Sequence, residues 1–291
     1  MLKSFKTHEL PRADDGNVID KLQPGEWYGQ VERTQTIGGV LLSVVYHDRP
    51  RSIGLHEHTW SYFLMPFAGG YRETKDGVTI DYDPFSIAFH PAGFVHSDEV
   101  LAPDKFFAIE LQTEWQARSG HHYDTSAWRF ELQHGEAVWL AIQLLQRFLS
   151  GELDDVFEVD AIVSEMLGIA LRLVDRDRPQ RAWVSDVKRL LREGYASRVS
   201  LEELGTRIGI HPASLSRGFR LDEGITISDY LSRVRIQQAC RQMTDKNVTL
   251  ADLAANCGFA DQSHLTRVFK SITGSPPGVF RDLVGGRPDY S

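Results

Sequence analysis

Along the first 120 positions, apolar residues come in short runs broken by turn formers: GGVLLSVVYHD at 38–48, FAGGYRETKDGVTIDYDPFSIAFHPAG at 67–93 and KFFAIELQ at 105–112. Runs rich in Val, Ile, Phe and Tyr, interrupted by Gly, Asp and Pro about every ten residues, predict the strands of a sandwich or barrel. After Gly120 the period changes. Between Ser126 and Val174 the apolar positions fall at helical spacing, first Val138, Ile142, Leu145 and Leu149, then Ile162, Met166, Ile169, Ala170 and Leu173. This spacing predicts two amphipathic helices. The stretch DRDRPQR at 175–181 is charged, aperiodic and interrupted by Pro179, and reads as a linker. Everything beyond it has a helical pattern.

Within that helical region a single pattern is written twice. SLEELGTRIGIHPASLSRGFR at 200–220 returns as TLADLAANCGFADQSHLTRVFK at 249–270, with one extra residue in the turn of the second copy. Ser200 with Glu203, and Thr249 with Asp252, have the spacing of a capping box, so each copy opens on a defined helix start. Gly205 and Ala254 are small where a second helix must cross closely, and Gly209 and Gly258 can take the positive φ of a tight turn. Pro212 suits the first turn of the following helix, and Asp261 caps its counterpart. Each second helix pairs an apolar spacing, Leu215 with Phe219 or Leu265 with Phe269, with an opposite polar face. These are the components of a helix-turn-helix, twice. Between the copies, ISDYLSRVRIQQACRQMTD at 227–245 lacks Gly and Pro and predicts one continuous helix about 26 Å long. A rod of that length can hold two reading helices near the ~34 Å separation of successive major grooves on one face of DNA.

Composition adds bounds rather than chemistry. The 291 residues are 42% hydrophobic and 25% charged, as in an ordinary folded protein with room for about two domains. The first residues carry no apolar stretch of signal-peptide length, and no segment approaches the roughly 18 apolar residues of a membrane helix, so a cytoplasmic protein without a membrane partner is expected. Cys240 and Cys257 sit in amphipathic helical stretches and are expected to pack as small residues. The net charge of -8 argues against a nucleic-acid partner only until it is divided. From Arg181 onward there are 16 Lys+Arg against 12 Asp+Glu, a net of +4, whereas the preceding residues have 16 against 28, a net of -12. Any phosphate contact belongs to the C-terminal region.

The stretch from about Trp183 to Asp282 resembles the DNA-binding domain of the AraC/XylS family of bacterial transcription regulators. The resemblance is carried most strongly by GFADQSHLTRVFKSITGSPPGVFR at 258–281, through Gly258, Phe259, Ser263, Arg267, Phe269, Lys270, Gly274, Pro276, Phe280 and Arg281. It implies seven helices and base contacts from the second helix of each unit. Position by position it places Ala213, Ser216 and Arg217 toward DNA in the first unit, and Gln262, Ser263, His264, Thr266 and Arg267 in the second. Lys270, beside the reading face, is expected on phosphate. His211 stands where a serine is common, and with small residues at Ala213 and Ser216 the first unit is expected to make mostly phosphate contacts, leaving Arg217 for base choice.

In the N-terminal region, LHEHTWSYFLMPFAGG at 55–70 followed by HPAGFVH at 90–96 resembles the two motifs of the cupin β-barrel, which many AraC-type regulators carry as a sensor. His56 and His58 point to one face of a strand, and His96 follows a turn that brings it alongside them. Three such imidazoles suit a divalent Zn, Fe, Mn or Ni ion. The carboxylate that metal-binding cupins place shortly after the H-x-H is missing, since Tyr62 stands there among aromatic and apolar neighbours. A metal site, a metal-free pocket for a small effector and a purely structural barrel all stay open. The expected organisation is a two-domain α+β chain: a cupin-like β-barrel over 1–125, a helical dimerisation segment over 126–174, a linker at 175–181 and an all-α double helix-turn-helix domain over 182–286. The expected function is sequence-specific transcription regulation, not catalysis. Its partners would be operator DNA, a small effector, a second copy of the chain and, for an activator, RNA polymerase. A metal-dependent cupin enzyme fused to a DNA-binding domain would explain only His56, His58 and His96. A DNA-compacting protein would need a far more basic chain.

Overall fold

The computed structural model describes residues 19–118, 130–132, 136–174, 181–243, 245 and 247–285. The chain divides into two compact units, one running to Val174 and the other from 175 to 286. Apart from Arg181, the linker read at 175–181 lies outside the described residues.

The first unit is one nine-stranded sheet: β1 (Asp20–Leu22), β2 (Gln30–Ile37), β3 (Val40–His47), β4 (Arg51–His58), β5 (Ser61–Lys75), β6 (Val78–Tyr82), β7 (Ile87–His90), β8 (His96–Leu111) and β9 (Phe130–Leu132). Two long strands organise it. β8 pairs antiparallel with β5 along most of its length, and on its other edge with β4 through 96–100 and with β3 through 104–111. The register between β5 and β8 shifts three times between Pro66 and Tyr71, and such bulges bend and twist the strand that carries them. The sheet therefore curls into a half-barrel. Gly69 makes the bend possible, because its φ is +83° and a Cβ there would stand 2.3 Å from the Pro103 carbonyl oxygen.

The even-numbered side chains of β8 line the concave face, and the odd-numbered ones turn outward, where Phe107 stacks on Phe148 at 5.6 Å between ring centroids. Phe148 belongs to α2 (Glu136–Ser150), which packs against α3 (Val156–Val174) and β7. Arg33 and Gln35 of β2 donate to the Leu149 and Leu153 carbonyls at 2.7 and 2.9 Å, tying the end of α2 to the sheet. A short helix, α1 (Thr113–Arg118), presents Trp115 Nε1 to Asp160 Oδ1 of α3 at 2.5 Å.

Two expectations for 126–174 are corrected. The stretch does not turn helical at Ser126, since 130–132 form β9, antiparallel to β7, and the first of the two helices starts at Glu136. Of Trp139, Leu140, Leu144, Phe148 and Leu149, whose apolar surface exceeds a single helix face and is the ground for expecting a dimer through this segment, Trp139, Leu144 and Phe148 are buried within the chain and Leu140 and Leu149 are half-buried.

The second unit has seven described helices: α4 (Ala182–Glu193), α5 (Leu201–Ile208), α6 (Pro212–Glu223), α7 (Ile227–Gln242), α8 (Leu250–Asn256), α9 (Gln262–Thr273) and α10 (Pro277–Gly285). Val184, Val187, Leu191, Leu204, Leu215 and Phe219 build the first core, to which α7 adds Tyr230 and Val234. The same helix packs on α8 and α9, and its Ile236, Ala239 and Cys240 are buried. Both cysteines are free and buried. No described helix is long and apolar enough to cross a membrane.

Candidate nucleic-acid interface and buried histidine cluster

Each copy of the repeat folds as a capped helix pair. Ser200 Oγ accepts from the Glu203 amide while Glu203 accepts from the Ser200 amide, and Thr249 and Asp252 make the same reciprocal box. Gly209 and Gly258 close the first helices with φ of +75° and +74°. At Gly258 a side chain is also excluded by space, since a Cβ would lie 2.5 Å from the Ala196 carbonyl oxygen. The second helices start as their residues demand: α6 with Pro212 in its first turn, α9 with Asp261 Oδ1 accepting from the His264 amide at 2.7 Å. His211, unusual for its position, works as a cap, because its Nδ1 accepts from the Ala213 amide at 3.3 Å.

The faces of α6 and α9 turned away from the cores carry the residues singled out from the sequence. Ala213 and Arg217 are exposed on α6, with Ser216 half-buried between them. On α9, Gln262, Ser263, Arg267 and Lys270 are exposed, while His264 and Thr266 are half-buried. Two of these side chains are engaged within the protein. Arg217 Nε donates to the Ala213 carbonyl at 3.3 Å, and His264 Nδ1 accepts from the Ala260 amide at 3.4 Å with its ring edge-on to Phe259. That bond leaves the other imidazole nitrogen of His264 as a donor toward solvent. Arg267 and Lys270 make no ion pair among the described residues.

The comparisons agree with this geometry. Residues 204–282 match the model of a family described as a helix-turn-helix domain. The chain is 27% identical over 191 residues to the transcriptional activator RhaS of Escherichia fergusonii, covering 64% of this chain and 67% of RhaS. It is 22% identical over 235 residues to the transcriptional regulator YobQ of Bacillus subtilis, covering 79% of this chain and 89% of YobQ. The chain is thus similar to regulators of the AraC type, and its residues 204–282 are a helix-turn-helix domain. Among solved structures this chain aligns with ToxT of Vibrio cholerae at 11% identity, over 84% of its own length and 99% of ToxT, with a TM-score of 0.39.

The half-barrel has a second group of chemically equipped residues. His56 and His58 of β4 and His96 of β8 are buried together, each offering a ligand atom within 4.8 Å of the others. Alternation along β4 puts the first two on the concave face, and pairing of His56 with His96 across the ladder supplies the third. Tyr62 Oη lies 3.3 Å from His96 Nε2, and its ring stacks on His90 at 4.6 Å. The carboxylates that the sequence did not locate are here. Asp98 Oδ2 is 3.4 Å from His56 Nε2 and 3.8 Å from His96 Nε2, and Asp98 also takes a hydrogen bond from Tyr71. Glu73 Oε2 is 2.5 Å from His90 Nε2, and these two with His96 form a second possible ligand group.

Burial sets the charge states of this interior. It lowers the His56 pKa to about 4 and holds His58 and His96 well below the usual histidine range, so the three imidazoles are neutral at pH 7. Burial, with the Glu73 charge adding to it, pushes Asp98 well above the ordinary carboxylate range. Glu110, which accepts from the Gly25 amide at 3.1 Å, is raised by burial to about 8. Burial thus disfavours the charged forms of these groups. Leu22, Trp27, Tyr28, His58, Tyr71 and Asp98 border a cavity of only about 20 Å³, roughly the room of one water molecule.

Proposed function

We propose that this regulator reads operator DNA through α6 and α9, and that a small effector held in the N-terminal half-barrel controls it. The observation that carries the DNA reading is the duplicated, fully capped helix pair with Arg217 and Arg267 at matching exposed positions. Arginine is suited to bidentate recognition of guanine in the major groove. Ala213 and Ser216 on α6, and Gln262, Ser263, His264 and Thr266 on α9, flank these arginines, and Lys270 is placed for a phosphate. On this reading the half-barrel binds its ligand without transforming it. Relatives named as regulators favour that over a fused enzyme. The protein works in the cytoplasm, and RNA polymerase is a further partner where it activates.

The charge division supports the same assignment, since the acidic N-terminal unit is unsuited to phosphate. The DNA-binding domain is proposed to span 182–286. The deciding experiment is a binding assay on the DNA upstream of its own gene, with nonspecific competitor and a salt titration. A preferred sequence with a linear fall of log affinity against log salt is expected. Equal binding to all sequences would reject base reading.

A further inference from the structure

We propose that Arg235, in the middle of α7 and outside both reading helices, is a positioning residue for base choice: through Phe259 it sets His264 as a single hydrogen-bond donor to the acceptor edge of a guanine. This names the DNA group that His264 takes and rests on the assignment of α9 to the major groove.

The contacts start in the loop after α4. Arg235 Nε donates to the Tyr195 carbonyl at 2.8 Å and its Nη2 to the Ser197 carbonyl at 2.9 Å. The guanidinium is half-buried, burial lowers its pKa, and no carboxylate pairs with it among the described residues. A charge in that setting is costly unless its donors are matched, and here backbone carbonyls match them. The carbonyl between those two, of Ala196, lies against the turn of the second helix pair, where a Cβ on Gly258 would stand 2.5 Å from its oxygen. The loop is thereby wedged against the turn that leads into α9. Arg235 also lies over the Phe259 ring, 5.9 Å from its centroid. Phe259 is itself buried, and His264 rests against it with 5.4 Å between ring centroids and 88° between planes.

A second hold decides what His264 offers. Its Nδ1 accepts from the Ala260 amide at 3.4 Å. An amide N–H only donates, so Nδ1 is the bare nitrogen and Nε2 carries the hydrogen. His264 is in the first turn of α9, three residues before Arg267 and so on the same side of the helix. Residues at the start of a recognition helix are the ones that reach base edges. A lone N–H needs an acceptor there. Guanine presents a ring nitrogen and a carbonyl oxygen side by side, adenine sets an amino donor beside its one acceptor, and cytosine has only a donor. A phosphate oxygen is the other acceptor that DNA offers, and the two are separable by experiment.

The test uses the full-length chain and its selected operator, with each guanine replaced in turn by a deazaguanine that lacks the ring-nitrogen acceptor. One position is expected at which the replacement weakens binding of the unaltered chain by about 2- to 12-fold. His264→Gln should keep that sensitivity, because its amide nitrogen can stand where imidazole Nε2 stands. His264→Asn, whose shorter amide reaches only the Nδ1 position, should lose it. Arg235→Met, which keeps the aliphatic stem and removes the donors, should lose it at the same position and add nothing further in the His264→Asn background. Phe259→Leu gives the same readout if Arg235→Met does not fold by circular dichroism. An even loss of affinity across all operators in Arg235→Met or Phe259→Leu would overturn the positioning role. Sensitivity retained in His264→Asn would overturn the base contact, as would a His264 effect abolished by a neighbouring methylphosphonate and by no deazaguanine. Operator selection with no guanine that depends on His264 would overturn this inference and leave the regulator standing, whereas no selection at all would overturn the proposed function with it.

Discussion

Arg267 and Lys270 lie three residues apart on α9 and are both exposed, yet their surroundings give them different tasks. Arg267 is in the row that faces away from buried Leu265 and Phe269, where a planar fork can reach base edges. Lys270 lies toward the end of the helix and is a point charge. Arg267→Ala is expected to weaken specific binding by about 1 to 3 kcal/mol and to relax base choice at one operator position. Lys270→Ala should lower affinity evenly across sequences and reduce the salt slope by about one. Affinities of both variants for a panel of mutant operators check this, and an unchanged ranking for Arg267→Ala would place the arginine off the bases. At this scale the sequence was informative wherever a residue type carries its own geometry, as with the capping Ser200, Thr249 and Asp261. It was silent on Asp98 and Glu73, although for different reasons. Asp98 follows His96 by two and so shares its face by simple alternation. Glu73 is hidden because the bulges between Pro66 and Tyr71 invert the parity of β5: Tyr62 and Leu64 face the interior from even positions, Tyr71 and Glu73 from odd ones.

Among the elements, helix starts were the most legible feature and strand ends the least. Capping boxes are local chemistry, and all four of their residues in the repeat act as the spacing implies. β9 has three residues and owes its existence to pairing with β7, which no local pattern encodes. The continuous helix expected over 227–245 ends at Gln242, and its amphipathic character is blurred because it buries residues toward both helix-turn-helix cores. The boxes also carry a pH dependence. Hydrogen bonds from Ser200 and Thr249 hold the Glu203 and Asp252 carboxyls below their usual range, so these groups stabilise the folded state above the unfolded pKa values near 4. That contribution is lost as pH falls through the lower folded values. Denaturant titrations between about pH 6 and 3 should therefore show stability dropping toward acid, and a shallower drop in Asp252→Asn. Thr249→Ala should cost about 1 kcal/mol at neutral pH, read from the same titrations. An unchanged midpoint would mean that the cap carries no net energy.

For the molecule as a whole, division into an N-terminal half-barrel and a C-terminal double helix-turn-helix was legible because strand and helix periods segregate along the chain. What periodicity does not reveal is which apolar surface a chain covers for itself. Burial of Trp139, Leu144 and Phe148 leaves only half-buried Leu140 and Leu149 of the surplus from which a dimer is expected, but Phe157 at the start of α3 is 86% exposed beside Val156 at 47%. Pairing of two copies on successive stretches of DNA would raise their effective concentration. A dimeric mass on operator DNA at micromolar concentration is expected, and Phe157→Asp should reduce it to the monomer. A monomeric mass for the unaltered chain on DNA would reject the dimer. One consequence of the shared helix α7 concerns angular phase. Because it joins the two copies of the repeat without a break, each residue inserted into it would turn everything beyond by about 100° and advance it by about 1.5 Å. A single insertion would turn α9 by that angle relative to α6, and two full turns would restore the bearing only by adding about 10 Å of reach. The separation of the two sites read on the operator is thus locked to the pitch of one protein helix, and tolerance for other separations must come from bending or twisting of the DNA.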